Sequence, residues 1–432
     1  MSLKIDQLLE GSATDLSQAI ITRKISSEAI VSAYLQRIEA VNPRLNAIVQ
    51  LAADALTAAR RSDEALAQGD IKGPLHGVPF TVKDVCETVG IVSAAGLDER
   101  ATFVPTQDAV VVARMKAAGA ILLGKTNCPP GGGGGVTDNP VYGRPLNPYN
   151  LAHSPGGSSG GEAVAIAAGL SPLGIGSDSG GSLRVSAHFC GIATLKPTSG
   201  RVPNTGVFNH PGGLSDYRTQ IGPMARTVKD LALVFPIMAG EDGIDAGVSP
   251  MPVREPQTVV KRELAVAMYG DDGQASPSSE TIAAIQTAAR VLKDKGLTVV
   301  EARPAHLSTA RSITERYWSM GQRSGAEIEA LFLDWDRFRT AMLSFMASYD
   351  VILCPVDYQP APRHGEESLW LFNYTLPYSL CGWPCAVVRA GTSALGLPVG
   401  IQIVARPWRE DIVLAIAQVI EEALGGWPPP PL

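Results

Sequence analysis

An α/β fold, a sheet covered by helices, is what this sequence predicts, and three observations predict it. From residue 73 onward, short apolar runs alternate with helical stretches. GVPFTVKD reads as a strand, VVVARMKAAG as a helix and AILLGKTN as a strand after it. The runs YDVILCPV (349–356) and LPVGIQIVA (397–405) read as buried strands. Amphipathic stretches, SSETIAAIQTAARVLKDKG and the closing EDIVLAIAQVIEEAL, supply helices to cover them.

The elements follow in order. Residues 14–70 read as helical. Ser26 and Ser27 can cap a helix through EAIVSAYLQRIEAV that stops at Asn42-Pro43. Ile30, Ala33, Tyr34, Ile38 and Val41 give it one apolar face. An alanine-rich helix runs on to about residue 65. Residues 156–184 are rich in glycine and serine, yet they contain a helix, EAVAIAAGL, and a strand, PLGIGSD, so they are no flexible linker. The polar 241–260 stretch reads as a surface connection, ELAVAMYG and LTVVEA as strands, and the tail GGWPPPPL as extended and frayed. No repeat of 20–50 residues is visible.

The bulk numbers exclude several classes. The 432 residues are 45% hydrophobic and 18% charged, an ordinary globular balance. The net charge is −6 with no basic block, so no footprint for nucleic acid appears. MSLKIDQLLEG holds no apolar run of signal-peptide length, and no stretch reaches the roughly 18 apolar residues of a membrane span. Neither nucleic acid nor membrane is expected as a partner, and a cytoplasmic location is. Cys86, Cys128, Cys190, Cys354, Cys381 and Cys385 form no C-x-x-C pair and read as buried small hydrophobes. No metal and no cofactor are expected.

Three short motifs compete for the chemistry. Gly119-AILL-Gly124-Lys125-Thr126 fits the phosphate-loop pattern, but its middle residues read as a strand, with a helix before it and Pro129-Pro130 after it. Gly156-Gly157-Ser158-Ser159-Gly160 fits the nucleophile-elbow pattern, but a turn leads into it, and His306 and His364 lie in polar segments without a partner. Gly174-Ile-Gly176-Ser-Asp-Ser breaks the dinucleotide pattern at its last position. A longer constellation remains. Ser158 lies in GGSSGGEA, and Ser182 lies 24 residues on in GSDSGGSLR, after a helix and a strand. Two glycines precede Ser182, as an oxyanion hole beside a nucleophile would require. No histidine sits within either motif; His153 and His188 flank them. Lys83, ending the strand VPFTV, is the alternative base, because burial lowers a lysine pKa. Read alone, by residue counting, Lys83 is better taken as a solvated strand-end lysine.

GGSSGGEAVAIAAGLSPLGIGSDSGGSLR resembles the signature segment of the amidase signature family. LHGVPFTVKD, GAILLGKTN, HFCGIATLKPTSGRV, GPMARTVKDLA, YDVILCPV and GLPVGIQIVARP resemble it too, in the right order, over about residues 10 to 425. The resemblance implies one α/β/α domain around a large mixed, twisted sheet, with residues 1–70 as a helical segment packed on the core of 71–432. It implies Lys83 as base, Ser158 as bridging serine and Ser182 as nucleophile, with a cis peptide bond before Ser158. The N–H groups of Ser179, Gly180, Gly181 and Ser182 would form the oxyanion hole. Ser159, Asp178 and Arg184 would support it, the last two by ion pairing.

Departures from the family pattern point to specificity. Ser186 stands where a proline is common and predicts a looser turn. Ser179 stands where an apolar residue is frequent. Pro130-Gly131-Gly132-Gly133-Gly134-Gly135 stands where larger side chains are common near the substrate. Five glycines predict a wide, mobile loop and a cleft open to bulky or aromatic groups. The activity so implied is hydrolysis of amide C–N bonds through an acyl-enzyme, over a broad range that includes aryl amides, carbamates (urethanes) and esters. A monomer or homodimer acting on such small molecules is expected. Two alternatives stand beside it: a component of a tRNA-dependent glutamine amidotransferase, and a non-catalytic binding protein on the same fold.

Overall fold

Proline inside a helix removes one hydrogen bond and crowds the preceding turn, so Asn42-Pro43 should end the first long helix. In the computed structural model it does not, and the reason lies in Asn42. The structure describes residues 9–213, 215–368 and 371–432; most of the N-terminal stretch read for a signal peptide lies outside the described residues. Helix α1 (Ala13–Ile21) is followed by α2 (Ser27–Leu45), with Ser26 as its side-chain cap. Pro43 sits in the last turn of α2. The Asn42 side chain accepts from Ala47 N and Ile48 N at 2.9 Å each and donates to Ile48 O at 2.8 Å. Asn46, left-handed at φ 51°, then turns the chain into β1 (Ile48–Leu51). A strand therefore interrupts the stretch read as wholly helical. IVQL is too short to show a period of its own.

The chain continues through α3 (Ala55–Ala67), β2 (Pro79–Lys83), α4 (Val110–Ala117), β3 (Ile121–Thr126), α5 (Gly160–Ala167) and β4 (Leu173–Asp178). Then come α6 (Arg184–Cys190), β5 (Ala193–Lys196), β6 (Gln220–Ala225), α7 (Val228–Met238), β7 (Ala265–Met268), α8 (Ser279–Asp294) and β8 (Thr298–Glu301). The last part holds α9 (Thr309–Trp318), α10 (Gly325–Phe345), β9 (Val351–Pro355), α11 (Leu376–Cys381), β10 (Cys385–Thr392), β11 (Pro398–Ala405) and α12 (Glu410–Leu424).

The eleven strands among the described residues join one sheet, in the order β1-β3-β2-β4-β6-β5-β10-β11-β9-β7-β8. It is mixed. β3-β2-β4 and β9-β7-β8 run parallel, and the strands between β4 and β9 are antiparallel. Helices cover it: α12 and α8 pack on β10 and β11, α6 on β11 and α7 on β6. A second apolar cluster, with Trp335, Phe338, Tyr378 and Trp383, knits α9, α10 and α11 into a helical layer. α5 is buried on every side, which fits its apolar composition. No helix among the described residues is long and apolar enough to cross a membrane.

Three further expectations meet the structure here. All six cysteines are free and buried. The tail is extended but docked: Trp427 Nε1 donates to Ala167 O at 3.2 Å, and Tyr149 Oη donates to Pro428 O at 2.6 Å. An aromatic ring and an unpaired carbonyl outweigh the disorder expected of a proline-rich end. Ser186 lies in a buried turn of α6 rather than a loose one.

Candidate active site

β2 and β4 are parallel neighbours, so their C-terminal ends reach the same edge of the sheet, where open α/β sheets place their sites. Lys83 ends β2, and Ser177 and Asp178 end β4. Ser158 and Ser159 lead into α5, whose packing beside β4 brings them to the same edge. The Lys83 side chain is fully buried. Its Nζ donates to Ser158 Oγ at 2.5 Å and Ser177 Oγ at 2.8 Å, and reaches Gly132 O at 3.5 Å. Burial lowers the Lys83 pKa to about 8; the field of the Asp178 carboxylate opposes the fall without cancelling it. A lysine at that value is neutral in roughly a tenth of molecules at pH 7.

The Gly157–Ser158 peptide is cis, as the family resemblance implies. Ser159 Oγ donates to Ser177 O at 3.2 Å and accepts from Ser177 N at 3.3 Å, tying the serine turn to β4. Glu162, one turn into α5, is buried behind the lysine. Thr81 and Thr126 donate to its two oxygens, the latter at 2.8 Å. Burial raises the Glu162 pKa to about 8, against those hydrogen bonds and the attraction of Lys83.

Ser182 follows Gly180 and Gly181 in the turn from β4 to α6. Gly181 has no room for a side chain: a Cβ there would stand 2.3 Å from Thr375 Oγ1. That hydroxyl donates to Gly180 O at 2.6 Å, fixing the turn from the far end of the chain. The N–H groups of Gly180, Gly181 and Ser182 meet no acceptor among the described residues. The ion pair expected beneath the turn is present. Arg184 Nε and Nη2 meet the two oxygens of Asp178 at 3.0 and 2.9 Å. Burial works against the Asp178 charge, but Arg184 overrides it and holds the carboxyl below its ordinary value.

Ser182 is 7% exposed and lines a cavity of about 710 Å³, while Lys83 and Ser158 do not line it. Gly132, Gly133, Gly134 and Gly135 form one rim. Pro130 and Gly131 lie outside the wall, and Gly131 is pinned by its N–H to Ala95 O at 2.8 Å. Tyr317, Trp318 and Phe372 supply an aromatic wall from the helical layer. Sequence reasoning missed Ser177, Glu162 and Thr375. Ser177 reads as one more residue of a strand, and Thr375 lies almost two hundred residues from the turn it holds. Glu162 left a signal, a lone acid in an otherwise apolar helix.

The decoys fail on geometry. Ile121–Thr126 is a strand, and Lys125 is buried, donating to Cys86 O at 2.5 Å and Ser93 Oγ at 2.9 Å, so no phosphate loop forms. His188 is locked away from the serines, its Nδ1 accepting from Gly400 N at 2.7 Å and its Nε2 donating to Gln359 O at 3.0 Å.

Comparison with known proteins accounts for this arrangement. The family model "Amidase" matches residues 29–326 and 324–414. An acylamidase of Rhodococcus erythropolis is 35% identical over 95% of this chain and 94% of its own. A glutamyl-tRNA(Gln) amidotransferase component from Roseiflexus sp. (strain RS-1) is 33% identical over 94% and 95%. The structure of 6-aminohexanoate cyclic dimer hydrolase superposes with a TM-score of 0.84 at 28% identity, covering 96% of this chain and 97% of that one. With matches that span nearly its whole length, this chain belongs to the amidase signature family of hydrolases.

Proposed function

We propose that this protein is a free-standing serine amidase of broad range, acting on aryl amides, carbamates and esters through an acyl-enzyme on Ser182. The observation that carries the reading is the Lys83–Ser158 contact, 2.5 Å long, at a lysine whose pKa burial has brought to about 8. In the neutral state Lys83 can accept the Ser158 proton while Ser158 takes the proton of Ser182. Ser182 Oγ then bonds to the substrate carbonyl carbon, and the carbonyl oxygen takes up the negative charge. The N–H groups of Ser179, Gly180, Gly181 and Ser182 are the donors for that charge. As the tetrahedral adduct collapses, the relay runs backwards and protonates the departing amine or alcohol. Water, deprotonated by the same relay, then releases the acid and restores Ser182. Ser177 holds the amine in line, and Ser159 holds Ser177.

The aromatic wall and the side-chain-free rim favour aryl groups. Hydrolysis rates across aliphatic amides, anilides, carbamates and esters test the range. Lys83→Ala, Ser158→Ala and Ser182→Ala test the roles, with losses on the order of 10²–10⁴-fold expected for the base and relay. Retention of near wild-type turnover in any of the three would remove that residue from the reaction.

A second reading, a component of a tRNA-dependent amidotransferase, is favoured by relatives carrying that name. Against it stands a chain of net charge −6 without a basic block. Co-purification of partner chains would decide for it. A non-catalytic binder gives no account of a buried lysine held against two serines.

A further inference from the structure

Arg218 is a guanidinium kept almost wholly out of water, 1% exposed, in the wall of the Ser182 cavity. Its Nε and Nη1 have no hydrogen-bond partner among the described residues. Its charge faces two rings, Tyr317 at 4.3 Å and Trp318 at 5.2 Å. Buried charged donors are normally paired, because an unpaired one forfeits its hydration without replacement.

The other charges in this wall have partners. Arg311 meets Glu315 at 3.3 Å and Asn373 Oδ1 at 3.1 Å. Asp216 accepts from Thr219 Oγ1 at 2.6 Å, and its other oxygen lies 3.7 Å from His210 Nδ1. Among the described residues, Arg218 is left as a wall cation without an ion-pair partner of its own. Burial brings its pKa down to about 10, opposed by Tyr317 and Asp216, so it stays charged at neutral pH.

Its position relative to Ser182 follows from the sheet. Asp178 pairs with Gln220 across β4 and β6. Running on antiparallel, Ser179 meets Thr219, and their hydroxyls are 2.5 Å apart. Arg218 and Gly180, one residue further along each chain, both line the Ser182 cavity. Trp318 bridges the same gap, since it lies 3.5 Å from where a Gly180 Cβ would stand and 5.2 Å from the guanidinium. Arg218 therefore stands beside the turn that carries Ser182.

We propose that Arg218 is a specificity residue that binds a carboxylate of the substrate. Nε and Nη1 lie on the two different forks of the guanidinium, so each fork has an unpaired donor to give a carboxylate. The preferred substrates are then amides that carry a free carboxylate a few bonds from the scissile carbonyl, with their apolar stretch against Tyr317 and Trp318. This rests on the reading of Ser182 as nucleophile.

The test compares matched pairs. Succinic acid mono-4-nitroanilide is set against butyric acid 4-nitroanilide, placing the carboxylate on the acyl half. 4-Acetamidobenzoate is set against acetanilide, placing it on the leaving half. In the wild type, at least one pair should show kcat/KM favouring the carboxylate, and Arg218→Met should reduce that ratio about 10- to 100-fold. Arg218→Gln, which keeps a donor without the charge on a shorter side chain, reads the same ratio should the methionine variant not fold. Calorimetric binding of the carboxylates to Ser182→Ala, with and without Arg218→Met, reads recognition without turnover. A wild type that hydrolyses none of the four yet binds a carboxylate through Arg218 would refute the amidase reading and leave this one standing. Equal ratios in wild type and variant for both pairs, with no Arg218-dependent binding, would overturn the proposal.

Discussion

Arg184 closes on Asp178 through two parallel hydrogen bonds, and both side chains are fully buried. The same carboxylate accepts from Leu183 N at 3.2 Å, so the pair holds the turn as well as itself. Arg184 also donates to Thr375 O and Ser379 Oγ on the opposite wall, at 2.9 and 2.7 Å. Removing one partner strands the other charge in the interior. Arg184→Met should cost about 3–5 kcal/mol of unfolding free energy, measured by urea denaturation. Activity should fall further than stability, because Ser182 loses its platform. A loss below about 1 kcal/mol would mean the pair is not what braces the turn.

The pH dependence of turnover follows from Lys83. The base must be neutral, and burial sets its pKa at about 8. kcat/KM for an uncharged anilide should therefore rise with pH and level off above about 8. A profile flat from pH 6 to 9 would argue against a lysine base.

Glu162 links pH to stability in the opposite sense. Its folded pKa, about 8, lies above the ordinary 4.5, so between those values the native state holds more protons than the unfolded chain. Stability from this group is present below pH 4.5 and is lost as pH rises to about 8. Glu162→Gln does not titrate. Its stability relative to wild type should improve by about a few kcal/mol between pH 5 and pH 8, read from urea midpoints. An unchanged difference at the two pH values would show that the carboxyl is not held protonated.

The glycine run is not uniform, and alanine substitution should separate its members. Gly132 has φ +72°, and a Cβ there would meet Val85 Cγ1 at 2.5 Å beside Lys83. Gly132→Ala should lower both stability and turnover. Gly133 has φ −96° and open space around it. Gly133→Ala should keep turnover and add roughly 0.4–1 kcal/mol by narrowing the unfolded ensemble. Equal effects at both positions would show that the carbonyl contact of Gly132 with Lys83 has no consequence.

Much of this was legible in the sequence where a signal is local. The strands Pro79–Lys83, Leu173–Asp178, Val351–Pro355 and Pro398–Ala405 announce themselves as apolar runs. Their neighbours do not. Ala193–Lys196 and Gln220–Ala225 hold a lysine, a glutamine, glycine and proline, and become strands only because partners on both sides accept their backbone bonds. The site divides the same way. Ser158, Ser182 and Lys83 sit in motifs, whereas Arg218 reaches the cavity and Thr375 the Gly180 turn through tertiary folding that no spacing encodes.

The most direct test of Ser182 as nucleophile is covalent. A 4-nitrophenyl dialkylcarbamate should release 4-nitrophenol and leave its carbamoyl group on the enzyme, a slow-turnover adduct visible by intact mass. Peptide mapping should place the adduct on Ser182, and Ser182→Ala should acquire none. An adduct on Ser158, or full modification of the Ser182→Ala variant, would contradict the account.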